Sequence, residues 1–141
     1  MNNKTTLLLI DKKIHVFLEN DILTIKPLEG TFTDEIIDKM FEVIKIFYEI
    51  CKNKNKKFYT IYDTTDCQLI NLPNYLYYVN SMSTFLRSHH EFYKKYLHKT
   101  LIITKTELGK TLCNSILMNY IPTRPIKFIS TDEPIDFDFD F

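Results

Sequence analysis

The sequence lacks tryptophan and alanine, and it contains only two glycines, Gly30 and Gly109, among its 141 residues. Phosphate-binding loops need glycines where the backbone approaches the phosphate closely, so two isolated glycines exclude a P-loop and a dinucleotide-binding fingerprint. Nucleotide-dependent catalysis is therefore not expected. Lys, Asn, Ile, Tyr and Phe are used heavily instead. We interpret this bias as the mark of an AT-rich genome, such as that of a large DNA virus or certain protists, a hypothesis that codon usage would test.

Cysteine is scarce as well: Cys51, Cys67 and Cys113 are odd in number, widely spaced and form no Cys-x-x-Cys pair. This pattern favours free thiols in a reducing compartment over a disulfide framework. The apolar run from Leu7 to Ile10 is too short for the core of a signal peptide, and no stretch approaches the roughly 20 apolar residues of a membrane helix. We therefore expect a cytoplasmic protein with no membrane span, located in the host cytoplasm or the virion if the origin is viral.

The remaining composition is that of a soluble globular domain, with 45% hydrophobic and 26% charged residues and a high aromatic share of 14%. One domain with a bulky core is expected at this length. The net charge is zero, yet the charges are unevenly spread, because five of the 18 acids lie in the last ten residues and no base follows Lys127. We therefore divide the chain into a mildly basic domain, residues 1–131, and an acidic and aromatic tail, residues 132–141.

Hydrophobic periodicity predicts alternating strands and helices. Asn20-Asp21 separates two β-rich runs and indicates a hairpin, whereas Thr33 is typical of a helix N-cap and Pro73 of a first helical turn. Because each later strand is reached through a helix, the sheet is expected to be parallel or mixed. The predicted elements are strands 14–19 and 22–26, a helix from Thr33 into the KNKNKK segment, strand 58–63, a long aromatic helix 73–97 that bends or breaks near Ser88, strand 99–104, a helix from Thr106-Glu107, and strand 126–130.

Few residues suggest chemistry. Cys67 lies in a polar loop and is the one thiol worth testing with a histidine as a catalytic pair. His90 and His98 share a helix face, but Lys94 occupies the position between them, which argues against a metal site. The lysines of residues 52–57 end a helix, where they favour its dipole, so nucleic-acid binding is not expected. The sequence thus predicts no catalytic residue, no cofactor and no metal.

Three stretches together resemble the STAS fold, the sulfate-transporter and anti-sigma-factor-antagonist domain, in its SpoIIAA-like branch. They are EGTFTDEIIDKMFEVI, KFYTIYDTT and LIITKTELGKTLCNSILMNYIPTRPIKFIS, and the likeness covers about residues 14–131. The resemblance implies an α/β domain of order β-β-α-β-α-β-α-β, with a mixed sheet of four to five strands and helices packed mainly on one side. It also implies a regulatory, non-enzymatic role in protein–protein contact.

In phospho-switching members of that family, a Ser or Thr within an Asp-Ser-Gly-like motif is phosphorylated. The corresponding place here is Asn71-Leu72-Pro73, which has no acceptor hydroxyl, so only Thr64 and Thr65 are left as candidate phospho-acceptors. The loop after the central strand is nevertheless expected to be an interaction surface. Its candidate residues are Asp63, Thr64, Thr65, Asp66, Cys67 and Asn71.

The tail PIDFDFDF alternates apolar and acidic residues with the period of a strand, which places Phe137, Phe139 and Phe141 on one side. Such an end is expected to dock, either on the chain's own body as an edge strand or on a partner by strand addition. We expect a protein partner or a second copy in a homodimer. One alternative function is binding of an apolar small molecule or lipid under the helical face, along the aromatic helix 73–97. The other is a Cys-dependent enzyme that uses Cys67.

Overall fold

The computed structural model describes residues 5–10, 14–28, 34–66 and 72–140. Within these ranges the chain forms one six-stranded sheet and four α-helices. The elements are β1 (Thr5–Ile10), β2 (Ile14–Glu19), β3 (Ile22–Pro27), α1 (Asp34–Lys54), β4 (Phe58–Asp63), α2 (Leu72–Ser88), α3 (His90–Tyr96), β5 (Leu97–Thr104), α4 (Glu107–Met118) and β6 (Ile126–Ser130).

The sheet is mixed, as expected, and its strands lie side by side in the order of the sequence. β1, β2 and β3 are antiparallel neighbours, whereas β3, β4, β5 and β6 are parallel. The prediction of four to five strands is wrong, because β1 adds an edge strand ahead of the predicted hairpin. Its segment, TTLLLI, lacks the alternation and the turn signal by which strands are recognised. The predicted break near Ser88 is confirmed, since α2 ends there and α3 begins at His90.

Two connections form without glycine. Asn20 and Asp21 join β2 to β3 with φ angles of 50° and 65°, and two positive φ values are what a tight hairpin turn of the right twist requires. Asn55 follows α1 with φ of 50°. There the amide of Lys56 donates to the carbonyl of Cys51 at 2.9 Å and that of Asn55 to Lys52 at 3.3 Å. This pair of bonds is a Schellman cap, which ends the helix sharply before β4.

The two faces of the sheet are covered differently. The helices pack on one face, where they form the large core with strand residues such as Val16, Ile25, Phe58 and Ile102. On the opposite face, which we call the back face, Ile61, Leu101, Ile103 and Ile129 form a second, smaller cluster. We call these four residues the back-face cluster. Alternation along β4, β5 and β6 sends successive side chains to opposite faces, so both faces of the central strands are apolar.

In the described ranges, no helix has both the length and the apolar character needed to cross a bilayer.

Candidate interaction surface

The predicted interaction loop begins where the parallel strands end. Asp63 closes β4 opposite Ile103 of β5, and Thr131 follows β6 at the same edge of the sheet. Ligands of open α/β sheets bind outside the carboxyl ends of strands, which makes this edge the first place to look for a site. Cys67 and Asn71 lie outside the described residues, so the structure bears on Asp63, Thr64, Thr65 and Asp66 alone.

Thr64 is fully buried. Its hydroxyl donates to the carbonyl of Ile103 at 2.8 Å, and its amide donates to the same carbonyl at 2.9 Å. Gly109, in the first turn of α4, packs directly over this side chain. The expectation that Thr64 is a phospho-acceptor is therefore wrong for the folded chain, because a kinase cannot reach a hydroxyl that lies beneath a helix and is already bonded.

Thr65 and Asp66 form a compact turn. The amide of Thr65 donates to Oδ1 of Asp63 at 3.0 Å, and its hydroxyl donates to the same oxygen. Asp66 makes an ion pair with Lys26 at 3.4 Å. A phosphate on Thr65 would place about two negative charges beside these carboxylates, which disfavours it. The turn is accordingly held by its own hydrogen bonds, and it connects β4 to the chain beyond.

The tail lies across the back face. Phe137 and Phe139 are half-buried against the back-face cluster. The ring of Phe137 lies 4.5 Å, centroid to centroid, from that of Tyr59 in β4. Lys99 in β5 makes two contacts with the tail: its Nζ donates to the carbonyl of Phe137 at 2.9 Å and lies 5.2 Å from the ring centroid of Phe139. Phe141 lies outside the described residues.

A turn at Ser130 redirects the chain from β6 onto this face. Glu133 closes the turn, since its amide donates to the carbonyl of Ser130 at 3.1 Å and its Oε1 accepts from the amide of Ser130 at 3.2 Å and from the hydroxyl at 3.3 Å. Turns stabilised by local bonds of this kind are self-contained. The turn therefore sets the direction of the tail independently of the contacts that its phenylalanines make.

The predicted edge strand is wrong for the tail as far as Asp140. Residues 134–140 have no regular secondary structure and pair with no strand. Their hydrogen bonds are local, from the amide of Asp138 to Oδ1 of Asp136 at 2.9 Å and from the amide of Phe139 to the carbonyl of Phe137 at 3.0 Å. Side chains thus attach the tail to the body, while the acids Asp136, Asp138 and Asp140 stay exposed to solvent.

The surface around the docked phenylalanines is positively charged. His98 stacks on Tyr59 with ring centroids 4.7 Å apart. The pKa of His98 is lowered, first by burial and then by the nearby cations Lys57, Arg124 and Lys99. A cluster of cations that disfavours a further positive charge favours negative ones. Three cations therefore lie near His98, whose ring stacks on the same Tyr59 that Phe137 contacts.

Two of the three cysteines, and all four histidines, lie in the described parts of the chain. Cys51 and Cys113 are buried and form no disulfide. Burial raises the pKa of the Cys51 thiol to about 11, which keeps it protonated and unreactive at neutral pH. Nowhere in the described ranges do three or more His, Cys, Asp or Glu side chains come together as a metal site would require.

Sequence reasoning identified the phenylalanines of the tail but missed the surface beneath them. That surface consists of the back-face cluster together with Tyr59, His98 and Lys99. One signal could have revealed it. Leu101, Ile102 and Ile103 are consecutive apolar residues in one strand, and such a run indicates burial on both faces. With helices on one side only, another part of the chain has to cover the second face.

The chain was compared with models of protein families, with curated proteins and with solved structures, and no match was found in any of the three.

Proposed function

We propose that this chain is a STAS-like protein-interaction module without catalytic activity, and that its recognition site is the back face of the sheet. Two features support the STAS-like part of the proposal, namely the mixed sheet with strands in consecutive order and the helices gathered on one face. A sheet covered by helices on one side leaves its other side for contacts with an extended segment. In this chain the tail occupies that side.

The observation that carries the proposal is the way in which the tail is attached. The side chains of Phe137 and Phe139 pack on the back face, and Lys99 supplies a hydrogen bond and a cation. The tail, as far as Asp140, does not pair with any strand of the sheet. Segments held by a few side chains open at low free-energy cost compared with elements of the core. The tail is thus exchangeable, and the site beneath it is accessible to another segment of the same kind.

The chemistry of the face defines the partner. The site offers an apolar floor, an aromatic ring at Tyr59 and the cation of Lys99. An extended protein segment that alternates aromatic and acidic residues matches all three, because its rings cover the floor and its carboxylates face the cations. Such a segment belongs to a protein partner, and the tail of a second copy has the same chemistry.

Deletion of residues 134–141 tests the proposal. We expect the truncated chain to stay folded but to lose about 1–3 kcal/mol of stability, since two half-buried phenylalanines no longer cover the cluster. A synthetic peptide of residues 131–141 should then bind the truncated chain and restore that stability. It should bind the full chain at least about tenfold more weakly, because the chain's own tail competes at a high effective concentration. Calorimetric titration and urea unfolding measure both effects.

Matched peptides and variants make this test specific. A peptide with both Phe137→Ala and Phe139→Ala should not bind, and Lys99→Met in the truncated chain should weaken binding of the natural peptide about tenfold. Lys105→Met, which removes an exposed charge just after the same strand, is the control and should have no effect. The proposal would be contradicted if the truncated chain kept its full stability and did not bind the peptide.

A further inference from the structure

A cavity of about 90 Å³ lies on the other side of the sheet, between the helices and β4, β5 and β6. Its lining is mostly apolar and includes side chains from α1, α2, α3 and α4 and from the loop that precedes β6. We propose that this cavity binds a small aliphatic carboxylate, with the hydrocarbon inside and the carboxylate at Arg124. The cavity lies on the opposite side of the sheet from the tail, and the proposal goes beyond the interaction function.

Buried polar atoms in the lining are the first support. Tyr62 is only 6% exposed, and neither its hydroxyl nor the buried Oγ1 of Thr123 has a hydrogen-bond partner among the described residues. Both residues line the cavity. Most buried polar groups in proteins are bonded, and each one that is not calls for an explanation such as a bound molecule. Thr123 is next to Arg124 in the chain, so a ligand oxygen bound at Arg124 would supply the partner of the Thr123 hydroxyl.

Two other hydroxyl groups in the lining already have hydrogen-bond partners. Tyr48 and Tyr93 also line it, but their hydroxyls bond to each other at 3.0 Å and are thereby satisfied. The hydroxyl of Thr123, next to Arg124, is therefore the specific place where a carboxylate gains a further hydrogen bond. The rest of the wall, formed by residues such as Ile44, Ile102 and Ile116, suits hydrocarbon.

Arg124 determines which charge a ligand of this cavity must carry. Its Nε donates to the carbonyls of Leu97 at 3.1 Å and His98 at 3.3 Å, which fixes the guanidinium at the amino end of β5. The two Nη groups make no hydrogen bond within the described ranges, and the residue lines the cavity. A guanidinium held in place with free N–H groups is suited to bind a carboxylate in a forked geometry. The ligand is thus an anion at one end and apolar at the other.

The volume limits the hydrocarbon part. An engineered cavity of about 150 Å³ in another protein holds benzene, and one water takes about 30 Å³ of liquid volume. At about three-fifths of the benzene cavity, a space of about 90 Å³ takes roughly four carbon groups. A branched acid of four or five carbons fits when its carboxylate extends to Arg124, whereas the acyl chain of a membrane lipid does not. The lipid-binding alternative is thereby narrowed to short acids.

The test uses the full chain and 3-methylbutanoate as the probe, followed by amide resonances in a two-dimensional NMR titration. We expect saturable shifts at the amides of Tyr62, Ile102 and Ile126, and at least about tenfold weaker binding of 3-methylbutanol, which has the same branched chain without the charge. Acetate should bind weakly as well, because it lacks the hydrocarbon. Equal binding of acid and alcohol, or shifts that do not saturate, would overturn the proposal and leave buried water as the partner of the two hydroxyls.

Conservative variants locate the site. Arg124→Met should weaken binding of 3-methylbutanoate about tenfold, and Thr123→Val should weaken it severalfold while keeping the shape of the wall. Tyr59→Phe, which removes a hydroxyl on the back face, should have no effect on the acid. Thr100→Ile, which fills the cavity, should abolish binding. Thr123→Val should also leave binding of the tail peptide by the truncated chain unchanged, which separates a failure of this proposal from a failure of the interaction function.

Discussion

Above pH 10 the free energy of unfolding of this protein should fall by about 4 kcal/mol for each pH unit, because three buried tyrosines resist ionisation. Burial raises the pKa of Tyr48, Tyr78 and Tyr93 well above the ordinary value of 10.0. The folded state keeps these three protons when the unfolded chain has already lost them. Unfolding therefore releases protons, and each tyrosine contributes a slope of about 1.4 kcal/mol per pH unit.

The direction follows from which state binds more protons. Below pH 10 the tyrosines are protonated in both states and add nothing to the pH dependence. Above pH 10 the folded state binds more protons, so stability is lost as the pH rises. Urea unfolding followed by circular dichroism at several pH values from 9 upward measures the slope, and the ultraviolet absorbance of tyrosinate shows when the rings ionise.

A double variant provides the control for this prediction. Tyr48→Phe with Tyr93→Phe removes both members of the buried hydroxyl pair and leaves neither without its partner. The slope should then become shallower by about 3 kcal/mol per pH unit, the share of two tyrosines, while Tyr78, Cys51 and Tyr120 still contribute. If the double variant lost stability as steeply as the natural protein, the alkaline sensitivity would arise elsewhere and the explanation would be wrong.

Gly109→Ala should destabilise the protein by about 1–3 kcal/mol, although the same change inside a helix normally stabilises it by about 1 kcal/mol. A methyl group at Gly109 would lie 2.5 Å from Oγ1 and 3.2 Å from Cβ of Thr64. Thr64 cannot move aside, since it is fully buried and its hydroxyl is bonded to Ile103. Chemical denaturation of the purified variant measures the loss.

A double-mutant cycle identifies the cause. Thr64→Ala alone should cost about 1–3 kcal/mol through its lost buried hydrogen bond, but it should cost much less when Gly109 is already Ala, because it removes the closest clashing atom. Lys110→Ala, at an exposed position in the same turn, should change stability by no more than about 0.5 kcal/mol. Additive costs in the cycle would show that the two residues do not interact.

Local signals in the sequence predicted much of this fold. The Asn20-Asp21 turn, the helix start at Thr106-Glu107 and the break near Ser88 each depend on a few neighbouring residues, and the structure has all three. Thr106 accepts from the amide of Gly109 at 3.2 Å, as an N-cap should. Short-range chemistry of this kind does not require knowledge of the rest of the fold.

Features that depend on distant residues could not be predicted in this way. Thr64 belongs to a polar stretch typical of an exposed loop, and only the carbonyl of Ile103 and the helix carrying Gly109 make it a buried residue. The alternation of the tail correctly places Phe137 and Phe139 on one side, but it gives no information on whether the backbone pairs with a strand. The cavity at Arg124 likewise depends on how four helices meet the sheet.

The consecutive order of the six strands has a consequence for synthesis of the chain. Each strand pairs with the strand that precedes it in the sequence, so the sheet can be assembled strand by strand as the polypeptide is synthesised. The tail follows β6 in the chain, so it can cover β4 and β5 only after both strands have been made. We therefore expect the back face to stay uncovered while the sheet is assembled.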